Sequence, residues 1–399
     1  MPFISRNEKI RELFNYAALL IMLVFYAGTW TFPQFYHVTE IYNSLIIFAA
    51  LAILFIANID IAEKIREKDR MFFVLSAAII IAVINLFIIG SNKGCILIIA
   101  DFLMILYLAP EISFTDIQKR ILEVFFLVMF VSWFLYDRAY SYNSNTGATV
   151  TVFTFFGAMV LLSEIVKIRE IYGFFIVISF IRVTTLVFWH LARGAFFALG
   201  LFILFYYIVP RSWWKNRSFY RFLVVFSTLG SLLFVGMYVF LGSTGFNMKL
   251  PFFYKNVFSG REQIWYEVWE ILRGQLLTGI GSGRELKSFF EYNIHNAMYD
   301  ILAVHGIIVF ILSIILIWNR LFMIGKLRDI YAGKKAVALS AIFAIFIESF
   351  IDMDLMWADY SPLLLFLFIT VFAGRKETKA DISAEADRFG KDGESAVSL

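Results

Sequence analysis

Ser259-Gly260-Arg261, Trp265 and Trp269, the run Gly279-Ile280-Gly281-Ser282-Gly283-Arg284, and the pair His295-Asn296 all fall within one polar stretch, Gly242 to Asn296, of an otherwise strongly apolar chain. A long loop that carries several arginines and a histidine between hydrocarbon-compatible segments is where an ionic group of a substrate would be met. Residues 262–273 place Ile264, Trp265, Val268, Ile271 and Leu272 at helical spacing and turn Glu262, Glu267 and Glu270 away. That pattern predicts an amphipathic helix lying on the outer membrane surface, its Trp rings at headgroup depth. Arg261 then sits at the helix start, beside unpaired N–H groups and the positive end of the dipole, where an anion is stabilised. The same pattern also fits a helix that merely shields the bundle. The glycines at 279, 281 and 283 permit a tight backbone path to Arg284; with no strand ahead of them they read as a structural turn, not a dinucleotide fingerprint.

Arg182 and Arg193 lie where few other charges occur. A cation at bilayer depth costs about 2.5 to 3.5 kcal/mol on insertion scales, so it faces a polar cavity or a partner. Arg182, nearer the middle of its span, is expected to face a cavity, or else an internal partner such as Glu348, Asp352 or Asp354. Arg193, on position alone, reads as a cation snorkelling to the nearby outer surface. The four histidines, at 37, 190, 295 and 305, show no metal-ligand spacing, so no metal site is expected. Cys95 is the only cysteine, which excludes an intrachain disulfide and a thiolate cluster.

The elements that must position these residues are membrane spans. With 61% hydrophobic and 17% charged residues, the chain reads as an all-α, polytopic integral membrane protein. About 20 apolar residues cross a core roughly 30 Å thick. That template gives about twelve spans, near 13–29, 41–57, 71–89, 95–109, 120–136, 148–163, 171–188, 194–209, 220–241, 297–318, 335–351 and 361–373. The organisation is then a membrane bundle over 1–241, an external loop with short amphipathic helices over 242–296, a second membrane bundle over 297–373, and a disordered polar tail over 374–399. Lys and Arg gather at alternate boundaries, as in Lys64, Arg66, Lys68 and Arg70 or Arg211, Lys215, Arg217 and Arg221, whereas 30–40 and 352–360 have none. Both termini are therefore expected in the cytoplasm and the long loop outside. Lys249, Lys255, Arg261, Arg273, Arg284 and Lys287 break that charge pattern, and long external segments escape it, so these cations are candidates for binding an anion. The first span follows Arg6, Lys9 and Arg11 but lacks a small-residue cleavage site, and reads as retained. The net charge of +4 is small and dispersed, which argues against nucleic acid as a partner.

The order Arg193-Gly194-Ala195 opening a span, Ser259-Gly260-Arg261 with Trp265, Gly279-Ile280-Gly281-Ser282-Gly283, and His295-Asn296 leading a span with Gly306-Ile307 resembles the O-antigen ligase and O-antigen polymerase family. The specific part covers roughly residues 190–310; Ala192 departs from the family, which often has Ser before the Arg. The resemblance implies glycosyl transfer at the outer face of the cytoplasmic membrane, from a polyprenyl-diphosphate-linked oligosaccharide to a sugar hydroxyl. The abundance of Arg and the lack of a His, Cys or carboxylate cluster in the loop lead us to expect no metal, and no cofactor is expected. Arginine suits a lipid diphosphate leaving group because it stays protonated and binds phosphate oxygens through paired donors. Arg193 and Arg261 are assigned to the diphosphate, Arg284 as a third, and His295 as the base that takes the acceptor proton, an unperturbed His titrating near 6.5. Asn296 orients that His or the sugar, and Trp265 and Arg182 join the substrate-binding set. His305 reads as packing or cavity lining. Membrane lipids, and a flippase and a chain-length regulator of the same pathway, are the implied partners.

A polymerase extends another lipid-linked repeat unit of a capsule, exopolysaccharide or O-antigen; a ligase transfers to a lipid core or surface anchor. Richness in Ile, Phe and Asn points to a host without an outer membrane and favours the polymerase. A transporter remains the alternative of a different class, with Glu348, Asp352 and Asp354 as a coupling-ion site, although no internal repeat is evident.

Overall fold

A computed structural model describes residues 7–39, 41–89, 94–137, 142, 144–166, 169–190, 192–245, 260–282, 286–287, 294–327 and 330–373. Arg284, Ser259 and the tail 374–399 lie outside the described residues. Among the described residues every regular element is helical: α1 (Glu8–Thr31), α2 (Pro33–Thr39), α3 (Asn43–Asn58), α4 (Ile61–Arg66), α5 (Arg70–Ile89), α6 (Gly94–Leu108), α7 (Asp116–Leu135), α8 (Ser144–Ile165), α9 (Arg169–Trp189), α10 (Arg193–Ile203), α11 (Arg211–Lys215), α12 (Arg217–Ser243), α13 (Arg261–Leu272), α14 (Ala297–Ile324), α15 (Gly333–Glu348) and α16 (Ser361–Phe372). A π turn, Leu204–Ile208, continues α10.

Each of the twelve expected spans coincides with a helix, and among the described residues six helices are long and apolar enough to cross a membrane on that criterion alone, namely α1, α5, α8, α9, α12 and α14. Four shorter apolar helices, over Asn43–Asn58, Cys95–Leu108, Arg193–Ile208 and Ala358–Phe372, accompany them. Burial sorts the helices into layers. α15 is buried from Val337 to Glu348 and α16 along its whole length, while α9 exposes Phe174, Phe175, Val177, Ile181 and Phe188. Large apolar side chains left open along a helix this hydrophobic are suited to acyl chains, so α9 forms part of the rim and α15 and α16 part of the centre.

The centre of the fold contains one broken helix. α14 departs from helical geometry at Gly306, with φ 82° and ψ 172°. Such a break frees backbone groups that hydrocarbon cannot solvate, and each must be met by protein. The glycine run supplies the partners. Ile280 N donates to Ala303 O (2.7 Å), Gly281 N to Val304 O (3.2 Å), Ile307 N to Leu276 O (2.9 Å), and Asn85 Nδ2 to His305 O (2.8 Å). Two backbones come this close only because both lack side chains: a Cβ on Gly306 would stand 2.2 Å from Leu277 O, and one on Gly279 2.6 Å from Gly306 N. The positive φ of Gly279 (78°) and Gly281 (73°) also needs glycine. The expected turn is therefore a docked segment that completes α14. His305, on the broken turn, is buried at 3% exposure, in keeping with packing.

Away from the head of α14, two groups of charges are closed off within the fold. Arg320 Nε donates to Leu106 O (3.0 Å) and Nη2 to Tyr107 O (3.3 Å), which places a cation on the last carbonyls of α6. Lys334 and Arg120 share Glu123 (3.0 and 2.9 Å) and Glu164 (3.6 and 3.2 Å).

Gly306→Ala should lower the thermal unfolding midpoint of the detergent-purified protein, because strain of about 1 to 3 kcal/mol at the positive φ adds to a backbone collision. Gly236→Ala in α12, where a Cβ meets nothing within 4 Å, is the matched control and should leave the midpoint unchanged or slightly raised. Intrinsic fluorescence on heating reads both; equal behaviour of the two variants would refute the docking role of the glycine run.

Candidate functional site

The starts of α10 and α13 and the end of α15 gather near the head of α14, beside α12. Gly260, at φ 80°, makes the turn that starts α13 at Arg261, as the sequence predicts. The face of α13 carrying Ile264, Trp265, Val268 and Leu272 is buried against the bundle. This corrects the expected surface helix: Trp265 has no exposure, packs against Phe234, Tyr238 and Tyr299, and donates from Nε1 to Ile294 O. Glu262, expected to turn away, is 8% exposed. The reason is the close crossing of α12 and α13, where a Cβ on Gly242 would stand 2.2 Å from Glu262 O.

Asn296 caps α14 and ties three elements together. Its Oδ1 accepts from Tyr299 N (2.8 Å) and from Ser231 Oγ of α12 (2.8 Å), and its Nδ2 donates to Phe350 O (2.8 Å) beyond α15. Ala297 N adds a bond to Ser349 O (3.1 Å). With 0% exposure and these internal partners, Asn296 and Trp265, both expected in the substrate-binding set, stand in the packing that holds the site.

Held between them, His295 adopts φ 50°, rare for a residue with a side chain. Its Nδ1 lies 3.3 Å from Asp352 Oδ1, which also accepts from Met353 N at 2.9 Å. Burial pushes the Asp352 carboxyl up, but the His295 hydrogen bond and the charges of His295 and Arg261 outweigh it and hold it below the usual carboxylate range. An ionised carboxylate only accepts, so the His proton is on Nδ1 and the basic lone pair of the neutral ring on Nε2. His295 keeps 36% of its side chain exposed and Asp352 24%, so both are within reach of a solute.

Arg193 opens α10, and a Cβ on the following Gly194 would stand 2.9 Å from Glu348 Oε1 and 4.0 Å from Asp352 Oδ2. The carboxylates of Glu348, Asp352 and Asp354 each place an oxygen within 4.8 Å of the others. Like charges 4 Å apart repel by about 4 kcal/mol at an effective dielectric constant near 20. Burial first, then Asp352, pushes the Asp354 carboxyl well above its ordinary range; Thr149 and Arg261 act the other way. Burial likewise lowers Arg261, with Asp352 and Tyr238 opposing and the like charge of Arg193 adding to it. Arg193, Arg261, Tyr238, His295 and the three acids are thus one electrostatic unit.

From Arg193 a groove of about 1250 Å³ runs between α10, α12 and the end of α15, past Phe196, Leu204, Phe222, Phe226 and Leu233. Arg193 is the one charged residue among the described residues that line it.

Of the residues singled out in the sequence, the structure brings Arg193, Arg261 and His295 together. Arg182 is placed elsewhere: its Nε donates to Phe134 O (3.0 Å) at the end of α7, a carbonyl partner and not one of the three acids. Asp352 and Tyr238 were not anticipated as neighbours of His295 and Arg261. Acids in a boundary otherwise bare of charge were the available signal for Asp352; nothing in the spacing marks Tyr238.

No curated protein and no solved structure matches the chain. A family model does, over the stretch that holds Arg182, Arg193, Arg261 and His295: residues 174–314 match the family described as O-antigen ligase, in agreement with the resemblance read from the motifs.

Proposed function

We propose that this chain is a multi-pass membrane glycosyltransferase of surface-polysaccharide assembly that takes its glycan from a polyprenyl-diphosphate carrier. The observation that carries the reading is the apolar groove of about 1250 Å³ ending at Arg193, beside Arg261 and the His295–Asp352 pair. A long isoprenoid suits a phenylalanine-lined groove open along one side, and its diphosphate reaches the cations at the end. The acceptor hydroxyl oxygen attacks the anomeric carbon, the bond from that carbon to the phosphate oxygen breaks, and the polyprenyl diphosphate leaves as an anion. His295 Nε2 takes the hydroxyl proton, and Asp352 stabilises the imidazolium that results. Arg193 and Arg261 accelerate the step insofar as they bind the departing diphosphate more tightly than the intact donor. Arg284 is proposed as a third contact. The acceptor is a second lipid-linked repeat unit, making the enzyme a polymerase, with the loop 242–296 outside and both termini in the cytoplasm.

With purified protein and lipid-linked donor, His295→Ala should lower turnover by about 10²- to 10⁴-fold while donor binding stays near normal. Arg261→Lys should lose most activity although the charge remains, because a point charge cannot replace paired donors. Near wild-type turnover of His295→Ala from pH 5 to 8 would remove it as the base. Activity that needs an ion gradient would instead support a transporter.

Single cysteines replacing Gln263 and Gln275, both exposed, in a Cys95-free background should react with an impermeant thiol reagent on intact cells. Labelling only after permeabilisation would reverse the orientation. In cells lacking activity, single repeat units on the carrier are expected; full-length chains stranded on it would identify a ligase.

A further inference from the structure

We propose that Glu348, Asp352 and Asp354 bind one hard divalent cation of the Ca²⁺, Mg²⁺ or Mn²⁺ class at the junction of α10, α14 and α15. Each carboxylate offers an oxygen within 4.8 Å of the other two, a spacing that a Ca²⁺ ion spans with bonds of about 2.4 Å. Oxygen-only ligands select hard cations over zinc or copper. The ligand order along the chain is also favourable, because one helix end and the turn after it deliver all three, Glu348 closing α15 and Asp352 and Asp354 following.

The independent observation is Glu348 itself. It has 0% exposure, and neither carboxylate oxygen has a hydrogen-bond partner. Its Oε1 points to the open backbone of Gly194, where a Cβ would stand only 2.9 Å away, and Asp352 Oδ2 faces the same point from 4.0 Å. Asp354 Oδ2 is likewise buried without a partner. A carboxylate buried so completely is normally satisfied, and this one lies at the negative end of the α15 dipole, which disfavours an anion further. The other charges facing the cluster are the cationic Arg193 on α10 and Arg261 on α13, His295 ahead of α14, and the like charge of Asp359 ahead of α16. The cations moderate the field, yet none of these groups donates to Glu348. His295 occupies Asp352 Oδ1, so a cation taking Oδ2 leaves that hydrogen bond in place.

This inference goes beyond glycosyl transfer and does not depend on it, and it revises the expectation of no metal. The lack of His and Cys spacing excluded soft-ligand sites; carboxylate sites need no such spacing.

The test uses the full-length, chelator-treated protein in detergent and Mn²⁺ alone as probe. Electron paramagnetic resonance should show one Mn²⁺ per chain, displaced by Ca²⁺. Glu348→Gln and Asp354→Asn, nearly isosteric and neutral, should each weaken Mn²⁺ binding at least tenfold. Ca²⁺ should raise the thermal midpoint of the wild type and not of Glu348→Gln, since a ligand bound to the folded state alone stabilises it. Absence of stoichiometric Mn²⁺ binding to wild type at millimolar concentration overturns the proposal, and so does equal binding to Glu348→Gln. Neither outcome touches the transferase reading, which is judged on turnover of His295→Ala.

Discussion

A backbone amide or carbonyl exposed to hydrocarbon must find a partner within the protein, and the break in α14 is where this requirement shapes the most structure. Gly306 interrupts the helix, and the carbonyls of Ala303 and Val304 are met by the amides of Ile280 and Gly281. The polar stretch between α12 and α14 is thereby pinned at a second point, near the middle of a helix and not only at its ends. His295, just ahead of α14, adopts a conformation that a free loop would rarely choose.

Charge is the second organising term, and it acts at one end of the bundle in a way it does not at the other. Arg320 rests on helix-end carbonyls and Glu123 shares two cations, both closed arrangements. At the head of α14, cations and acids arrive on different helices, with His295 and Asp352 partly open and Glu348 sealed. The contrast separates charges that hold a fold from charges that are held ready for something else.

Much of the fold was legible because hydropathy and the twenty-residue template act locally: all twelve expected spans are helices, and Arg261 does open α13. What was not legible depends on which surface an apolar face meets. The stripe of Trp265, Val268 and Leu272 has the same spacing whether it lies on lipid or on α12, and only the close approach at Gly242 decides for α12. Arg193, Arg261 and His295 come together because each stands at or next to the start of a helix, where neighbouring elements converge. Arg182, inside α9, is turned by helix rotation to the end of α7, which no single-helix pattern reveals. The acids after α15 were visible as charges, but their convergence with His295 needed the long-range contact between residues 295 and 352.

The fastening of the α14 head carries a consequence for how such a protein diversifies. Asn296 and Ala297 bond to Phe350 O and Ser349 O, so the histidine and the acidic turn are carried on one rigid piece, with Ser231 of α12 as a third anchor. An insertion or exchange within that piece disturbs His295 and the acids together. Changes of ligand preference are then accommodated in segments that do not take part in the fastening, while the His295–Asp352 pair is inherited as a block.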